Sequence, residues 1–93
     1  MRPPYAARRV DATAKALTAE AKRLGCGVAP LGGAVDAVLW LGPITRLVDF
    51  KSPGGTLTAS QTKLVQSGAP IVFVATVAQL EAVVAQMRRE ALR

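Results

Sequence analysis

A Gly-Pro pair at positions 42 and 43 separates two apolar runs, residues 35–41 and 44–51, and that arrangement dictates a β-hairpin. Both runs carry apolar side chains at odd and even positions alike, which predicts a sheet covered on both faces, with helices above and below it. No other segment of the chain constrains its fold as tightly.

The flanking segments supply the helices. Val10, Ala14, Leu17, Ala21 and Leu24 alternate steps of four and three, which predicts one helical face over residues 6–24 with Gly25 as its stop. Arg8, Lys15 and Lys22 recur every seven residues on the opposite side, a basic stripe that suits either solvent or a phosphate backbone. Residues 26–31 form a weakly signalled strand that ends at Gly32-Gly33. Ser52-Pro53-Gly54-Gly55 is a loop. Thr58 with Gln61 has the capping-box pattern, predicting a helix to about residue 67 that stops at Gly68. Residues 71–75 read as an apolar strand. A second capping box, Thr76 with Gln79, opens a C-terminal helix with Leu80, Val83, Val84 and Met87 along one side. The expected order is αβββαβα in one domain over residues 1–93: an α/β fold, with a sheet flanked by helices.

Composition narrows the chemistry. The 93 residues contain no histidine and one cysteine, Cys26. Histidine-assisted nucleophiles, His-containing zinc sites, multi-cysteine metal clusters and internal disulfides are therefore all excluded. The lone cysteine fits a reducing compartment. Neither a secretory h-region nor a membrane span is expected. Twelve Lys and Arg against six Asp and Glu give a net charge of +6, which suits a polyanionic partner such as nucleic acid. Any catalysis must rest on carboxylates, lysine or arginine, hydroxyls, or an oxygen-ligated metal.

The hairpin register brings such groups together. A two-residue or four-residue loop centred on Gly42-Pro43 sets Leu41 against Ile44, Val38 against Leu47, and Asp36 against Asp49. Opposed Cβ atoms on antiparallel strands lie about 4.5–5.5 Å apart, where two carboxylates repel by on the order of 3 kcal/mol at an effective dielectric near 20. A divalent cation between them turns that repulsion into ligation, and hard oxygen donors suit Mg²⁺ or Mn²⁺. Strand alternation sends Asp49 and Lys51 to the same face and Phe50 into packing. Lys51 then sits where it can orient a water and stabilise developing negative charge on a phosphate. The purely structural alternative has Asp36 ending a strand and Asp49 pairing with Lys51; a three-residue loop would shift the register by one.

The ordered set Gly33-Ala34-Val35-Asp36, Leu47-Val48-Asp49-Phe50-Lys51-Ser52-Pro53-Gly54-Gly55, Leu57-Thr58-Ala59-Ser60-Gln61 and Gly68-Ala69-Pro70-Ile71-Val72 resembles the VRR-NUC branch of the PD-(D/E)xK nuclease superfamily. The resemblance covers about residues 8–85. It implies a restriction-endonuclease-like core with a mixed sheet, and a metal-dependent DNA endonuclease. In that reading Asp36 and Asp49 hold Mg²⁺ or Mn²⁺ together with the backbone carbonyl of Phe50, Lys51 assists the attacking water, and Gln61 stands beside the site. Gln61 is equally the capping-box partner of Thr58. A first-helix acid, Asp11 or Glu20, is implied as a further ligand. Two positions depart from the family pattern: Val35 replaces the usual proline, and Asp49 replaces the commoner glutamate.

The resemblance further implies branched or four-way-junction DNA as substrate, a homodimer, a role in replication or repair, and a bacterial or phage-infected cytoplasm. Neither a membrane nor a small-molecule cofactor is expected. Arg8, Lys15, Lys22, Lys63, Arg88, Arg89 and Arg93 are candidate contacts to the DNA backbone. A non-catalytic DNA-binding or assembly module that keeps the fold is the alternative function.

Overall fold

A computed structural model describes residues 4–52 and 54–92, with side chains from Thr13 onward. The order is α1 (Pro4–Arg23), β1 (Gly27–Pro30), β2 (Ala37–Leu41), β3 (Ile44–Phe50), α2 (Ala59–Gln66), β4 (Ile71–Val74) and α3 (Val77–Ala91). The expected αβββαβα succession holds. The four strands form one mixed sheet in the order β1-β2-β3-β4, antiparallel from β1 to β3 and parallel between β3 and β4.

The central turn is the two-residue loop. Leu41 pairs with Ile44, and Gly42 takes φ +59°. A positive φ at the first loop position, followed by the fixed negative φ of Pro43, is what a type II′ turn requires, and its twist matches that of the paired strands. Both capping boxes form, with Thr58 and Thr76 accepting from the backbone N–H of Gln61 and Gln79. β2 is shorter than expected and leaves Val35 and Asp36 outside it. Its partner β1 stops at Pro30, and the Leu31 N–H donates to the Asp36 carbonyl at 2.8 Å to close the connection.

Alternation along the ladder divides the sheet into two unlike faces. Ala37, Leu39, Val48, Phe50 and Val74 are buried with Leu17 and Ala21 of α1 and Leu80, Val84 and Met87 of α3. The contacts of α1 and α3 with each other and with the strands place both helices over this one face. The expectation of a sheet buried on both sides is therefore corrected. The other face carries Ala29, Val38, Trp40, Thr45, Leu47, Asp49, Ile71 and Phe73, and Trp40 and Thr45 on it are exposed. The intervening helix α2 does not seal it, because Gln61 is its one buried residue.

Cys26 is buried in the core, where desolvation pushes its thiol pKa up, so it packs as a small hydrophobe. No helix of the described residues is long and apolar enough to cross a membrane.

Leu80 is fully buried, whereas Leu92 is 83% exposed. Leu80→Ala is expected to cost about 2–5 kcal/mol, lowering Tm by roughly 10 °C or more. Leu92→Ala should stay within about 0.5 kcal/mol. Thermal melts followed by circular dichroism compare the two, and equal losses would mean that the core is not where the packing puts it.

Candidate active site

At the end of the sheet where β3 and β4 finish, an open cleft of about 610 Å³ is bordered by Asp36, Asp49, Lys51, Ser52, Thr58 and Gln61. The hairpin register delivers the first three. Ala37 pairs with Val48, so Asp36 stands one step before β2, opposite Asp49. Its side chain takes over where the ladder stops, with Oδ2 accepting from the Phe50 N–H at 2.8 Å. Phe50 itself turns into the core, and Asp49 and Lys51 share the other face, as alternation requires.

Asp49 is 4% exposed, and its Oδ2 lies 3.1 Å from the Lys51 ammonium. Lys51 Nζ also donates to Gln61 Oε1 at 2.7 Å and stands 6.0 Å from the centre of the Phe73 ring. Gln61 is likewise 4% exposed, and every polar atom of its side chain is used. Its Oε1 also accepts from the Thr58 N–H at 3.1 Å, and its Nε2 donates to the Ala34 carbonyl at 2.8 Å. The structural and site readings of Gln61 are thus one arrangement: the capping-box amide is the group that holds Lys51.

Burial raises the pKa of Asp36 above the ordinary carboxylate value, and the Asp49 carboxylate beside it pushes the same way. The Phe50 N–H and the Lys51 charge oppose that shift without cancelling it. Two carboxyls in direct interaction, one of them with its pKa raised by that neighbour and by burial, are an oxygen-donor pair that a divalent cation would relieve. No group of three or more His, Cys, Asp or Glu side chains gathers among the described residues. Magnesium does not need one, since it keeps several waters and commonly uses one or two carboxylates together with substrate phosphates. The donor set therefore fits Mg²⁺ or Mn²⁺.

The remaining sequence candidates separate. Glu20 does not join the cleft; its carboxylate is engaged by the Arg23 guanidinium on the surface of α1, and that hydrogen bond lowers its pKa. The Glu20–Arg23 pair has the i,i+3 spacing of a helix-surface ion pair, a signal present in the sequence. The side chains of Asp11 and Arg8 lie outside the described residues, as does Arg93. Lys22 and Thr18 border a second groove, of about 280 Å³, that reaches Asp36 and Phe50 from the α1 side. Lys15 and Lys22 line a shallow depression next to it. Arg88 is used elsewhere: it donates to the Leu24 carbonyl at 2.5 Å and so caps the C-terminal end of α1. Lys63 and Arg89 are exposed on α2 and α3, and neither borders the cleft among the described residues.

No family model, curated protein or solved structure matches the chain at a significant level. The chemistry of the cleft therefore rests on its own geometry.

An acid whose folded pKa is raised keeps its proton in the native state over a pH range where the unfolded chain has lost it. Stability then falls as pH climbs from the ordinary carboxylate value through the raised one. Asp36→Asn can keep the bond from the Phe50 N–H and removes that cost. In metal-free protein at pH 8 it is expected to raise Tm, with the gain shrinking as pH drops below the carboxylate range. A Tm at pH 8 that is unchanged or lower would count against a raised pKa at Asp36.

Proposed function

We propose that this protein is a metal-dependent DNA endonuclease with a restriction-endonuclease-like core, of the VRR-NUC type. The observation that carries the reading is the pair Asp36 and Asp49, opposed at the mouth of a cleft, with Lys51 on the same face and fixed at two points. A lone D-x-K sequence carries no such information. The opposed carboxylates, the tethered ammonium and the net charge of +6 together suit hydrolysis of a polyanionic phosphodiester.

In this reading Asp36, Asp49 and the Phe50 backbone carbonyl hold Mg²⁺ or Mn²⁺. When bound, such an ion polarises a phosphoryl oxygen and lowers the pKa of a coordinated water. The chain's own groups do the rest. Lys51 presents its ammonium to the phosphate and steadies the negative charge that develops there. Gln61 is a positioning residue, fixing Lys51 through Oε1 while its amide nitrogen is anchored on Ala34. Lys22 and Lys15 lead the DNA backbone toward Asp36 along the α1 side, which makes binding steeply salt-dependent. With Glu20 committed to Arg23, Asp11 is the first-helix acid proposed as a further ligand.

Branched DNA as substrate, a homodimer making paired cuts, and a place in replication or repair belong to the same proposal. A second reading is favoured by the Lys51–Asp49 contact, which already neutralises one carboxylate. It makes the protein a DNA-binding module without catalysis, and it predicts DNA affinity that EDTA leaves unchanged.

The decisive experiment is cleavage of end-labelled four-way-junction, flap and linear duplex DNA in Mg²⁺, Mn²⁺ and EDTA. Cutting is expected with metal and not with EDTA. Asp49→Ala and Lys51→Ala should each lower the rate by about 100-fold or more. Gln61→Glu, which keeps an acceptor for Lys51 but loses the donor to Ala34, should fall between those variants and the parent. Binding without cutting in either metal would favour the second reading. A fully active Asp49→Ala protein would refute the site.

A further inference from the structure

The open face of the sheet carries a feature that the cleavage chemistry does not use. Trp40 lies on the same face as Asp49, with Val38 and Leu47 between them, and is 41% exposed. Its strand neighbour on β1 is Gly27. A Cβ added to Gly27 would stand 2.0 Å from Cε2 of the indole, and 2.3 and 2.4 Å from the adjoining Cζ2 and Nε1. Ring neighbours slightly farther away than the nearest atom are the pattern of a point on the ring's face; an approach in the ring plane from the outer edge would bring both neighbours closer than Cε2. The indole is therefore laid flat over a glycine, one π-face against the sheet and the other available to solvent. Any other residue at position 27 would lift it.

We infer that Trp40 is a stacking platform for an unpaired nucleobase of the DNA strand that enters the cleft, an inference that rests on the nuclease reading and names part of its substrate. A flat π-surface recognises another flat ring. In a duplex the base faces are stacked on one another and only their edges are open in the grooves. An unpaired base offers its face, and stacking on an aromatic side chain is tolerant of which base it is. Asp36 lies four positions along the strand from Trp40, about 13 Å, so a single strand running over this face reaches both. The Phe73 ring, paired opposite Asp49, stands beside Lys51 at the cleft end of the same face. A second protein copy seated on this face would compete with substrate for the cleft that Asp49 and Lys51 share with it.

Trp40 is the sole tryptophan, so its emission reports on this surface alone. In EDTA, where cleavage is silent, a 12-nucleotide oligo-dT is expected to quench the emission at lower concentration than a blunt 12-base-pair duplex. Trp40→Ala should weaken oligo-dT binding by about 5- to 100-fold, read by anisotropy of a labelled strand, while leaving duplex affinity within about twofold. Trp40→Phe should recover much of the loss. Gly27→Val keeps the indole but displaces it and should weaken the single-strand preference, with circular dichroism melts confirming that each variant is folded.

The inference is overturned if oligo-dT binds Trp40→Ala as tightly as it binds the parent, or if duplex quenches as well as single strand. It is also overturned if emission shifts with protein concentration alone and Trp40→Ala converts a dimer to a monomer in sedimentation, which would make a second copy the occupant. Failure of the nuclease reading is seen separately, as absent cleavage in Mg²⁺ and Mn²⁺ alongside Trp40-dependent binding that persists in EDTA.

Discussion

Pairing Ala37 with Val48 and Leu41 with Ile44 decides which side chains of the central hairpin share a face. A slip of one residue would drive Asp49 and Lys51 into the hydrocarbon under α1 and α3 and turn Phe50 out to solvent. Burying an unpaired carboxylate there would cost several kcal/mol, so the register of the core and the geometry of the cleft enforce each other. The Gly42-Pro43 turn makes that register available at low strain. The hydrophobic face under the two long helices makes it the only tolerable one.

The same register explains why so much was legible. The hairpin, both capping boxes and the order of the elements follow from turn chemistry and local spacing, and those signals do not depend on what packs above the sheet. The opposition of Asp36 and Asp49 needed only the loop length. What sequence pattern could not supply was the cover on each face. Val38, Leu47, Ile71 and Phe73 are as apolar as the residues that α1 and α3 bury, so alternation read both sides as interior. Whether a third helix seals the second face depends on tertiary placement, and α2 buries only Gln61. Thr45 opposite Trp40, and a glycine opposite that tryptophan, were the available hints of an open face.

Charged residues divided along similar lines. Glu20 with Arg23 is a local helix pair that spacing alone could have paired. The bond from Arg88 to the Leu24 carbonyl joins residues 64 apart, and no local rule reaches that far. Gln61 was legible twice, as a cap and as a site residue, and one amide side chain satisfies both roles because its oxygen accepts from the Thr58 N–H and from Lys51 together.

That double duty has a consequence for the motions of the molecule. Helix α2 is eight residues long, and with Leu64 and Val65 exposed its anchorage is polar rather than hydrocarbon. A short helix held in this way belongs to the low end of the local stability scale and opens more readily than the global fold. Each opening takes the Gln61 amide away from the Lys51 ammonium and leaves Asp49 to hold it alone among the contacts described, so the fraying of one surface helix and the alignment of one lysine are coupled. Solvent conditions that loosen α2 reach the cleft without disturbing the core beneath the sheet.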